Sequence, residues 1–73
     1  MKTIYSAEHK KIVEKLKKAR KDACLDQKEA AKLLHRTQSY VSKAESGQRR
    51  LDVVQLKAFC KIYGKQIGYF LGG

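Results

Sequence analysis

At 73 residues the chain has room for one domain and one small core, and its two cysteines are too few for a zinc site. Seventeen Lys and Arg against seven Asp and Glu leave a net charge of +10. That excess weakens a compact monomer by self-repulsion and points to a polyanionic partner, nucleic acid ahead of an anionic membrane. The N-terminal stretch MKTIYSAEHKK carries no apolar signal-type segment, and no apolar run approaches membrane length. The expectation is therefore one cytoplasmic domain over residues 1–73, with Cys24 and Cys60 reduced and both packed inside.

Strand-like alternation is absent, and apolar residues recur at helical spacing instead. Over residues 6–23, Ile12, Leu16, Ala19 and Ala23 form one stripe among lysines. Ser6 is suited to cap this first helix and Glu8 to its positive end. Lys10, Lys11, Lys15, Lys17, Lys18 and Lys21 read as its solvated face, adding long-range attraction only. A second helix opens at Asp26, with Glu29 three residues on completing a capping box, and runs through Ala30, Ala31 and Leu34. The third starts after Thr37 as N-cap and closes at Gly47, a residue that adopts the left-handed conformation without penalty. Asp52 and Gln55 repeat the capping signature ahead of a fourth helix that buries Leu56, Phe59, Cys60 and Tyr63 and ends at Gly64. A last short turn carries Ile67, Phe70 and Leu71. The sum is a compact all-α domain of five helices.

The second and third helices, each about eight or nine residues, are joined by a very short connection, which forces the sharp corner of a helix-turn-helix over roughly residues 26–46. Ala30, Ala31 and Ala44 let the two axes approach closely. On the third helix Val41 and Ala44 point inward, while Gln38 and Ser42, and Ser39 and Lys43, each four apart, share the opposite face. These are groups that hydrogen-bond to base edges in a major groove: Gln to adenine, Lys to guanine, Ser to either. Arg36 in the turn, and Arg49 and Arg50 past the helix, flank its two ends as phosphate contacts, with Lys28 and Lys32 weaker candidates. Tyr40, on the flank of the helix, either donates its hydroxyl to a phosphate or stacks on sugar, or packs against the second helix.

The stretch LDQKEAAKLLHRTQSYVSKAESGQRRLDVVQL resembles the helix-turn-helix domain of the Cro/phage-repressor (XRE-type) class, through Gln27, Ala31, Ser39, Val41, Ser42, Glu45 and Gly47. The likeness extends over residues 12–71 and implies a lambda-repressor-like domain that binds operator DNA as a two-fold homodimer. It implies that Gln27 docks on a phosphate from the N-terminus of the second helix, and that Gln38, Ser39, Ser42 and Lys43 face bases. It further implies an ion pair between Arg20 and Glu45 that ties the first helix to the third. Where the family usually has glycine before the second helix and again in the turn, this chain has Cys24 and His35. A left-handed backbone at either position costs a residue with a Cβ, although histidine tolerates it better than most.

One domain reads only a few base pairs, which argues for a dimer, and Ile62, Ile67, Tyr69 and Leu71 form the candidate patch for it. The leading reading is a sequence-specific transcriptional regulator of double-stranded DNA, working as a repressor. The alternative is an antitoxin-like or adaptor module whose main partner is another protein. No nucleophile–base set, metal-ligand set or phosphate loop supports an enzyme, and His9 and His35 lack partners at useful spacing, so no cofactor or metal is expected. A membrane-surface role fails because the first helix has no Trp or Phe on its apolar side.

Overall fold

The starts of the three central helices are built from the local chemistry of their first residues. The computed structural model describes residues 7–71, and its elements are α1 (Ala7–Asp22), α2 (Gln27–Leu34), α3 (Gln38–Ser46), α4 (Val53–Tyr63) and α5 (Ile67–Leu71). The cap expected at Ser6 and the role of the Glu8 side chain lie outside the described residues. At α2 the Asp26 carboxylate accepts from the Glu29 amide at 2.7 Å, and the Glu29 carboxylate accepts from the Asp26 amide at 2.9 Å. Asp52 and Gln55 form the same reciprocal pair at α4, at 2.8 and 2.9 Å. The Thr37 hydroxyl accepts from the Tyr40 amide at 3.2 Å to begin α3. Each cap satisfies backbone donors that have no partner inside the helix.

The helix ends share one device. Cys24, His35, Gly47 and Gly64 follow α1 to α4 with φ of 60°, 59°, 85° and 69°. In each case the next residue's amide reaches back to a carbonyl in the last turn: Leu25 to Arg20, Arg36 to Ala31, Gln48 to Lys43 and Lys65 to Cys60, at 2.9–3.1 Å. This left-handed reversal turns the chain sharply while keeping the final carbonyls bonded. Both non-glycine departures, Cys24 and His35, thus sit in the strained region their positions suggested.

The core lies where α1, α3, α4 and α5 converge, with Phe59, Leu16 and Val41 its largest fully enclosed side chains. Leu56, Tyr63 and Phe70 close it from α4 and α5, and Ala30, Ala31 and Ala44 line the α2–α3 contact. Burying each of the large side chains stabilises the fold by about 1.5–3 kcal/mol. The alanines do a different job, letting α2 and α3, the most extensive helix pair, seat their backbones close together. Among the described residues no helix is long and apolar enough to cross a membrane.

One expectation is corrected here. Cys60 is buried, but Cys24 is exposed. The left-handed backbone at Cys24 directs its side chain off the corner between α1 and α2 rather than into the stripe of α1.

Candidate nucleic-acid interface

The two sides of α3 differ completely in exposure. Val41, Ala44 and Glu45 are buried, whereas Gln38, Ser39, Ser42 and Lys43 are all exposed. The tight corner at His35–Thr37 lifts this polar side clear of the body, and no other described segment covers it. Arg50, Lys28 and Arg36 are exposed as well.

Glu45 explains how α3 is held at that angle. It is the one buried charged residue among those described, and its carboxylate accepts three hydrogen bonds. Arg20 of α1 contributes Nε at 2.7 Å and Nη2 at 3.3 Å, and Gln27 of α2 contributes Nε2 at 3.2 Å. Arg20 also donates Nη1 to the Leu25 carbonyl at 2.8 Å, fixing the α1–α2 turn. The hydrogen bonds it donates to Glu45 hold the guanidinium above its ordinary pKa, against the opposing effect of burial. One carboxylate therefore registers three helices. The Gln27 side-chain amide has two N–H groups, and Glu45 engages one of them.

Tyr40 is half-buried and packed against the domain's core. Its ring stacks on Phe59 of α4, with centroids 6.0 Å apart and planes at 5°. The guanidinium carbons of Arg36 and Arg49 lie 5.1 and 4.6 Å from the centroid of the same ring. Arg36 and Arg49 are thus gathered at one aromatic surface rather than divided between the two ends of α3. Sequence reasoning missed this grouping, although the four-residue spacing of Arg36 and Tyr40 was a signal for half of it.

Of the residues proposed for a dimer patch, Ile62, Ile67 and Tyr69 are half-buried against the domain's own core, and only Leu71 stands out as exposed. Tyr69 is further covered by Lys15 and Lys65, whose ammonium groups sit 5.7 and 4.7 Å from its ring. No cluster of metal-ligating side chains occurs among the described residues.

A family model described as a helix-turn-helix domain matches residues 12–66, from the middle of α1 to just before α5. The chain belongs to the helix-turn-helix domain family. No curated protein matches it. A helix-turn-helix domain is a DNA-binding module, and the family is not an enzymatic one. In the helix-turn-helix geometry the second helix of the motif enters the major groove. Here that helix is α3, whose outer side carries an amide, two hydroxyls and an ammonium.

Proposed function

We propose that this helix-turn-helix domain is a sequence-specific transcriptional regulator of the Cro/phage-repressor type that represses by occupying a palindromic operator as a homodimer. The observation that carries the reading is the division of α3 into a buried side and a wholly exposed hydrogen-bonding side. Gln38, Ser39, Ser42 and Lys43 contact base edges, where a good bidentate pair discriminates by about 1–3 kcal/mol. Arg36, Arg49, Arg50, Lys28 and the free N–H of Gln27 hold the backbone in register, and Tyr40 serves that backbone contact. A charge of +10 supports the affinity and its speed of formation.

In the dimer the α4–α5 end, with Leu71 exposed and Ile62, Ile67 and Tyr69 beneath it, meets its symmetry mate. Two copies of α3 then enter successive major grooves about 34–36 Å apart. Occupancy of the site is itself the regulatory act.

The test is selection of bound duplexes from a random pool, followed by titration of the winner at rising salt. A palindromic consensus is expected, with affinity falling on the order of 10³–10⁵-fold between 50 and 200 mM salt if about 6–10 phosphates are neutralised. A pool that yields no consensus would remove sequence specificity, and a non-palindromic one would remove the dimer. Tight capture of a protein partner by a chain that selects no DNA would favour the antitoxin-like or adaptor alternative.

A further inference from the structure

Beside the N-terminal half of α3 lies an open cleft of about 470 Å³, lined by His35, Arg36, Thr37, Ser39, Tyr40, Lys43 and Arg49. Three cations and three hydroxyls face it, and no carboxylate does. Three cations outside the cleft are paired: Arg20 with Glu45, and Lys18 and Lys65 with Asp22. Among the described residues Arg36, Lys43 and Arg49 form no ion pair. Arg49 Nε is shielded from solvent and donates to nothing. Such a group normally finds an acceptor, since an unmet buried donor costs free energy.

We propose that this cleft is a preformed seat for a single phosphate oxyanion, with Tyr40 as the platform that positions its two arginines. A ring holding two guanidiniums within about 5 Å of its centroid orients them without neutralising them. Phe59 in turn fixes the ring from the core side. Both arginines are thereby ordered before any ligand arrives, which lowers the entropic cost of binding. The free amides at the start of α3 add to the attraction for an anion. Tyr40 acts through its ring and not its hydroxyl. In the operator complex the occupant is a backbone phosphodiester, a statement that rests on the DNA-binding reading; capture of free phosphate does not.

Arg Nε–Hε resonances of the full chain, followed by NMR during titration with inorganic phosphate or diphosphate against chloride at equal ionic strength, test the seat. Saturable shifts of Arg36 and Arg49 are expected, retained in Tyr40→Phe and weakened about tenfold or more in Tyr40→Leu. Because Tyr40→Leu can unsettle the stack on Phe59, Arg36→Gln, Arg49→Gln and the double variant provide a second measurement. Each single change is expected to remove most of the affinity, and the double change much less than the product of the two, because both act on one oxyanion. No saturable shift, fully multiplicative losses, or loss of binding in a folded Tyr40→Phe would overturn the proposal. A duplex that displaces bound phosphate assigns the seat to the DNA backbone; a duplex that binds while phosphate stays in place overturns that assignment. Phosphate capture by a chain that binds no duplex would sink the DNA reading and leave the seat intact.

Discussion

Arg20 and Glu45, 25 residues apart, are joined by two charge-assisted hydrogen bonds, and their side chains are only 12% and 2% exposed. A pair this enclosed gives little net stability over an apolar substitute, but breaking it leaves an uncompensated charge. Glu45→Ala is expected to cost about 3 kcal/mol, the lower end for breaking a buried pair because Arg20 retains some access to water. Gln27→Ala removes one neutral donor from the same carboxylate and should cost about 1 kcal/mol. Urea unfolding of the two variants checks the ranking, and equal losses would contradict it. DNA affinity should fall in both, since the angle of α3 depends on this carboxylate.

The four left-handed helix ends divide into two that suit their residue and two that do not. Gly47→Ala and Gly64→Ala should each lose about 1–2 kcal/mol. That cost is backbone strain alone, because a Cβ at Gly47 meets nothing closer than 3.8 Å and one at Gly64 meets nothing within 4 Å. The reverse changes, Cys24→Gly and His35→Gly, relieve similar strain but enlarge the unfolded ensemble, so the net is a gain of up to about 1 kcal/mol with fold and DNA binding intact. Thermal melts and duplex titrations decide this. Loss of DNA binding in a folded His35→Gly would assign that imidazole a specific contact.

Tyr63 is buried against α1 and α3, and its hydroxyl has no hydrogen-bond partner among the described residues. Burial, reinforced by nearby Glu45 and opposed by Arg20, pushes its phenol well above the ordinary range. The folded pKa thus exceeds the unfolded one near 10. Stability is fully present below about pH 10 and is lost as pH climbs toward the folded value, at up to about 1.4 kcal/mol per pH unit from this group. Tyr63→Phe should be neutral at pH 7 and should flatten the alkaline decline. An unchanged decline in the variant would assign it to other groups.

The two thiols should differ in reactivity. Burial pushes the Cys60 thiol up, whereas Cys24 is exposed at a chain corner. Brief treatment of the native chain with iodoacetamide is expected to label Cys24 alone, with Cys60 reacting only after unfolding. Equal labelling in the native state would place Cys60 closer to solvent than its packing indicates.

What could be read from the sequence was mainly what neighbours along the chain determine. Asp26 with Glu29, Asp52 with Gln55, Thr37, Gly47 and Gly64 fixed the helix limits, because caps and reversals act within one turn. The inward Val41 and Ala44 and the outward Gln38, Ser39, Ser42 and Lys43 followed from helical periodicity. Relationships that depend on tertiary approach were harder. Gln27 meets Glu45 across the motif, and Tyr40 meets Phe59 from another helix, so spacing alone gave no sign of either. Cys24 was expected to pack inside, but its own left-handed backbone turns it outward. Ile62, Ile67 and Tyr69 look like surplus apolar area in the sequence, yet a domain this small uses much of that area on its own core.

The central claim is that the outer side of α3 reads bases, and parallel selections with the wild-type chain and Gln38→Ala test it most directly. The account predicts the same palindromic site with preference relaxed at one position in each half-site, and affinity for the wild-type site lower by about 1–3 kcal/mol. An identical consensus bound with unchanged affinity would contradict it.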